Sequence, residues 1–166
     1  MFLKKKRNNG VSLVEVVIAS SIISIALLVL VSVYSAVARY SLSNVRTLKA
    51  TQLVEEGIEV LQYLRDSGYT KNIASLTNGN AYHLYWDANV NGGTWTATTS
   101  NILLENRYQI NFVLSPVSRD TNFNVVSSGG TVDTGSKKAT VSVSWRESAA
   151  TSTKSAETYL FNIFNN

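Results

Sequence analysis

The chain has 166 residues, no cysteine, one histidine and one proline, with a formal net charge of +4. That length allows one ordinary domain, or a small domain with an added segment. The absence of cysteine excludes a disulfide framework, thiolate catalysis, zinc ribbons and iron–sulfur ligation. With 45% hydrophobic and 16% charged residues, the chain is not a disordered tail. The charge is unevenly placed: four of the 15 basic residues are Lys4, Lys5, Lys6 and Arg7, leaving 11 to balance the 11 acidic ones. Basicity is therefore a terminal feature and does not mark the body as a nucleic-acid binder.

From Val11 to Ala38 the sequence reads VSLVEVVIASSIISIALLVLVSVYSAVA, with Glu15 as its only charge. The uncharged part, residues 16–38, would extend about 35 Å as an α-helix. That exceeds the roughly 30 Å of a bilayer's hydrocarbon core, so a membrane anchor is expected. A cleaved secretory signal has the same basic start, but its apolar region is only about 7–15 residues long. A plain signal anchor would keep the basic residues in the cytoplasm and the C-terminal body outside. Neither reading explains Glu15. A carboxylate costs about 2.5–3.5 kcal/mol at the centre of a membrane helix and less near its end, where it reaches the interface. Glu15 is either a tolerated boundary group or one that awaits a positive partner.

The leader MFLKKKRNNG ends in Gly10 and is followed by VSLVEVVIA and the long apolar stretch. This resembles the class III signal of type IV pilins and type II secretion pseudopilins. The resemblance implies cleavage by prepilin peptidase between Gly10 and Val11, and methylation of the new N-terminus at Val11. It also implies that Glu15, as fifth mature residue, pairs with the N-terminal amine of a neighbouring subunit. Gly10 suits an extended peptide in a protease cleft because it has no side chain to clash. Val11 stands where phenylalanine or methionine is commoner in the family, and no proline interrupts the anchor.

Beyond the anchor, Leu42, Val45, Leu48, Leu53, Ile58, Leu61 and Leu64 recur near the helical period. Arg65 suits a helix C-terminus and Gly68 a C′ position. One helix over 11–66 is expected, about 80 Å long, with an apolar stripe to be covered by the C-terminal body. Glu55, Glu56 and Glu59 read as a solvated helix face, with no histidine to make them a metal cluster. After Tyr69 period-two runs appear. Tyr82, Leu84 and Trp86 form one; Tyr108, Ile110, Phe112 and Leu114 form another, which Pro116 is expected to end. Phe123 and Val125 suggest a short strand. Val141, Val143 and Trp145 alternate as in a half-buried antiparallel strand. Tyr159, Phe161 and Ile163 close the chain, with Leu160 and Phe164 on the opposite face. The expected class is α+β, a long helix packed on an antiparallel meander, which is the pilin architecture. The pairing of KKATVSVSW with ETYLFNIF is most similar to small minor pilins or pseudopilins. The resemblance divides the chain into a leader (1–10), a transmembrane or filament-core helix (11–38), its amphipathic continuation (39–68) and a β-rich head (69–166).

No catalytic constellation is legible. His83 stands alone between Tyr82 and Leu84, and the chain has no P-loop, dinucleotide turn or metalloprotease motif. The run Asp87-Ala-Asn89-Val-Asn91-Gly92 copies the first half of a calcium loop, but Thr98 occupies the twelfth position in place of a bidentate glutamate. Asn-Gly and Gly-Gly are strong turn signals. The segment therefore reads as a polar loop, with calcium at Asp87, Asn89 and Asn91 as the weaker alternative, and no other cofactor is expected. Residues 69–166 carry seven Lys+Arg and six Asp+Glu, and Lys137–Lys138 is their only adjacent basic pair. Nucleic-acid binding through Trp86 and Trp95 would need more basic surface.

The leading expectation is a structural subunit rather than an enzyme, assembled into a pilus or pseudopilus filament. The resemblance implies other pilin subunits, prepilin peptidase and an inner-membrane assembly platform as partners. It also implies a single-pass stage in the cytoplasmic membrane with the C-terminal domain outside. The competing expectation is a membrane-anchored β-domain that binds or adheres without polymerising.

Overall fold

The computed structural model describes residues 12–90, 92–147 and 150–166. One α-helix, α1 (Leu13–Asp66), is followed by a π-helical turn (Thr70–Ala74) and seven strands. These are β1 (Ala81–Asp87), β2 (Thr94–Thr98), β3 (Leu103–Leu104), β4 (Tyr108–Arg119), β5 (Val125–Val126), β6 (Thr131–Glu147) and β7 (Ala150–Phe161). The chain divides into two compact units between Asn44 and Val45.

In the first unit, no described residue is buried. Leucine, isoleucine and valine from Leu13 to Val37 point outward around the whole helix. The hydroxyls of Ser20, Ser21, Ser24, Ser32 and Ser35 all donate to carbonyls three or four residues back. Each of these five hydroxyls is thereby satisfied within its own helix, as an apolar medium requires.

In the second unit the helix becomes one-sided. Ala50, Leu53, Val54, Gly57, Val60, Leu61 and Leu64 are buried, a run of three- and four-residue steps that keeps one face on the core. Leu42, Val45 and Leu48 are exposed, which corrects the expectation that the covered stripe includes them. The covered face begins at Ala50, and its small members, Ala50 and Gly57, are invisible to a search for large apolar residues. Arg65 occupies the last helical turn, and Gly68 takes φ +150°, as its C′ position asks.

The strand order is β2-β1-β4-β6-β7, with β3 and β5 pairing short stretches of β4, and every pairing is antiparallel. The chain is thus a meander from β4 through β6 to β7, preceded by the β1–β2 hairpin. Alternation sets the core face. Tyr108, Phe112 and Leu114 of β4, Ala139, Val141, Val143 and Trp145 of β6, and Leu160 of β7 pack with the helix residues. Tyr159 and Phe161 take the other side of β7, their rings stacked 6.2 Å apart.

Three local expectations change. Pro116 does not end β4, which continues to Arg119. Instead the register shifts: Pro116 faces Lys137, whereas Val117 faces Asp133. Residues 134–136 of β6 take up the difference as a bulge, the usual accommodation for a strand proline. Phe123 lies outside β5, at a turn with φ 64°. Ile163 lies beyond the end of β7 and is exposed. Ionic contacts join the helix to the end of β6 at Arg46–Glu147 (3.4 Å) and to the β3–β4 turn at Lys49–Glu105 (3.3 Å).

Candidate functional site

Glu15 lies in the first turn of α1, three residues after Ser12, whose carbonyl accepts the N–H groups of Glu15 (2.9 Å) and Val16 (3.2 Å). A carboxylate there meets the positive end of the helix dipole. Ser12-x-x-Glu15 also has capping-box spacing, so helix initiation and a charged function can share one side chain. Glu15 is exposed and has no ion-pair partner among the described residues. Gly10, Val11, Lys4, Lys5, Lys6 and Arg7 lie outside the described residues. From Leu13 onward α1 is long and apolar enough to cross a membrane.

Residues 5–31 match the prokaryotic N-terminal methylation motif. The methylation motif fits the class III signal of type IV pilins and pseudopilins, and the long helix followed by an antiparallel sheet is pilin-like in architecture. Neither a curated protein nor a solved structure shows a significant match to the chain. The methylation motif ends within the apolar helix, so it carries the likeness at the N-terminus and leaves the head to be read from its own geometry.

The other residues singled out by sequence are dispersed. At the β1–β2 turn the Asp87 carboxylate accepts the backbone N–H and the side-chain amide of Asn89, both at 3.0 Å. This is an Asx turn closing a polar loop; Asn91 lies outside the described residues. Among the described residues no three of His, Asp and Glu come together as a metal-ligating group. His83 is buried on β1, and its Nδ1–H donates to the Ile110 carbonyl at 3.0 Å. Glu55, Glu56 and Glu59 are exposed. Trp95 packs partly against the core, whereas Trp86 is half exposed. Lys137 and Lys138 diverge: Lys138 pairs with Glu157 at 3.1 Å, and Lys137 Nζ donates to the Leu76 carbonyl at 2.8 Å. Burial lowers the pKa of Lys137 from its ordinary value.

A cluster at the β4–β6 bulge escapes sequence reading. Arg119 Nε donates to Asp133 Oδ2 at 2.6 Å, its Nη1 to the Phe123 carbonyl at 2.9 Å, and its Nη2 to Ser136 Oγ at 3.3 Å. The guanidinium carbon lies 5.6 Å from the Phe161 ring centre, within cation–π range. Ser136 Oγ–H and Gly135 N–H also donate to Asp133, at 2.6 and 2.9 Å. The Ser136 hydroxyl, then the Arg119 guanidinium, hold the Asp133 carboxyl below its ordinary pKa. With these donors turned inward on Asp133, Ser136 and the Phe123 carbonyl, the knot's chemistry is structural: it fastens the bulge. The only sequence signal is the lone Pro116 in a strand, which asks for irregularity nearby.

Proposed function

We propose that the chain is a prepilin-like structural subunit, cleaved after Gly10 by a prepilin peptidase and assembled into a pilus or pseudopilus filament. The observation that carries this reading is a coincidence at one end of α1. The methylation motif spans residues 5–31, and the helix it opens is apolar on all sides, with Glu15 its only charge before Arg39. In this reading Lys4–Arg7 hold the leader in the cytoplasm, and the head stands outside the membrane. Cleavage would create an ammonium group on Val11, the site for methylation. Glu15 would face the Val11 amine of an adjacent subunit, so that two charges costly in an apolar core neutralise each other. The helix over 11–38 would form the filament core, 39–68 its amphipathic continuation, and 69–166 the outer surface. Partners would be other pilin-like subunits, the peptidase and an assembly platform in the cytoplasmic membrane.

Replacing Gly10 with a bulky residue tests processing. The expected outcome is an uncut precursor about ten residues longer than the wild-type product, read by intact-mass measurement. An unchanged mass would sink the proposal. Glu15→Ala separates cleavage from assembly: normal maturation with loss of the subunit from sheared surface filaments is expected. Normal incorporation of the Ala variant would remove the charge-pairing step.

A further inference from the structure

The head contains a cavity of about 340 Å³ between α1 and the β1–β2 hairpin, lined by Glu56, Leu84, Trp86, Trp95, Ile102 and Ile110 among others. This volume lies in the range of small-molecule sites. Trp86 and Trp95 are direct cross-strand partners; their rings meet edge to face, with centroids 5.7 Å apart and planes at 75°. Trp86 is 51% exposed, an unusual expense of apolar surface, yet it is held firmly. A Cβ added to Gly93, whose φ is 69°, would lie 2.2 Å from Trp86 Cζ2. The indole therefore rests directly against glycine backbone. Glu56 is the only charged residue of the lining, and it has no hydrogen-bond or ion-pair partner among the described residues.

We propose that this cavity binds a small alkylammonium ligand, with Glu56 supplying the counter-charge and the two tryptophans the aromatic walls. Indole faces attract cations through their quadrupole, most strongly where water is partly excluded. The lone carboxylate excludes anions and leaves neutral apolar ligands without compensation for its own desolvation. A primary ammonium needs three hydrogen-bond acceptors, and the side chains lining the site offer only the Glu56 carboxylate and the Tyr85 hydroxyl among aromatic and aliphatic walls. A quaternary ammonium needs none, so methylated ammonium groups are selected over lysine-like ones.

The test uses the full chain in maltoside micelles, titrated with choline and with its uncharged isostere 3,3-dimethylbutan-1-ol, read by tryptophan fluorescence. Saturable choline binding is expected, with the neutral isostere at least tenfold weaker, about the 1.4 kcal/mol that one partly desolvated charge interaction supplies. Glu56→Gln should weaken choline about tenfold, while Glu55→Gln, outside the cavity, should leave it unchanged. Trp86→Leu keeps an apolar wall without a ring; it should reduce, with Glu56 still in place, the preference for choline over the isostere at unchanged thermal stability. Equal binding of the two probes, indifference to Glu56→Gln, or binding to phosphatidylcholine vesicles without binding to free choline would each overturn the proposal. None of these outcomes depends on cleavage or filament assembly.

Discussion

Gly57 sits where helix and sheet approach closely: a Cβ added there would lie 2.8 Å from Val141 Cγ1, inside the buried core. Two effects of Gly57→Ala oppose each other. Alanine favours the helix by about 1 kcal/mol, whereas overpacking a filled core costs about 1–3 kcal/mol. Val141 is fully buried and cannot swing away, so packing wins, and the variant should unfold roughly 2–6 °C lower in a thermal melt. A higher midpoint would mean the sheet yields. Asp133 supports a second test. Its folded pKa lies below the ordinary 3.8, so its bonds stabilise the fold above that value and are lost as pH falls through the lower, folded one. Stability should therefore decline below about pH 4, and Asp133→Asn should both lower stability at pH 7 and flatten that acid limb. Sequence shows neither residue's role. A glycine inside a helix reads as a weakness until the facing valine is known, and Arg119 and Asp133 stand 14 positions apart with no pattern joining them. Glu15 is legible because an isolated carboxylate in an apolar run is conspicuous by cost alone.

Elements were legible in proportion to how strongly one face is buried. β6 and the core half of β4 alternate cleanly because helix and solvent cover opposite sides. β7 does not: only Leu160 of its twelve residues is buried, so ATSTKSA shows no apolar alternation, and its pairing along β6 from Glu147↔Ala150 to Ser136↔Phe161 supplies the order. The end of α1 is fastened by a residue far away in sequence. Asn166 Oδ1 accepts the Tyr69 N–H at 3.1 Å, its Nδ2 donates to the Asp66 carbonyl at 3.2 Å, and its backbone carbonyl accepts the Thr70 N–H at 2.9 Å. These groups serve the unpaired carbonyls and amides that every helix end leaves. Asn166→Ala removes the two side-chain bonds, each worth about 0.5–1.5 kcal/mol net. A midpoint lowered by several degrees is expected, together with faster amide exchange at Tyr69. Unchanged exchange there would show that water replaces the side chain without loss.

The whole molecule joins two chemistries on one helix. Among the described residues every buried one lies at or beyond Ala50, and the hydrophobic core runs from Ala50 to Leu160. The described residues of the first unit contribute no buried side chain, while from Leu13 to Val37 they expose an apolar surface far larger than a soluble monomer tolerates. Folding of the head and covering of the apolar helix are thus separate problems. This separation predicts the behaviour of a chain beginning at Val45. Its remaining helix is long enough to hold its core-facing residues, Leu53, Leu61 and Leu64, against the sheet, although an isolated helix of that length would be marginal in water. Packing, rather than intrinsic helicity, should keep it folded. The truncated chain should be monomeric without detergent and unfold in one cooperative transition, at a midpoint within a few degrees of the full chain's. The full chain should pellet when detergent is withdrawn. A truncated chain that remained unfolded, or that still needed detergent, would show that the anchor helix helps to hold the head together.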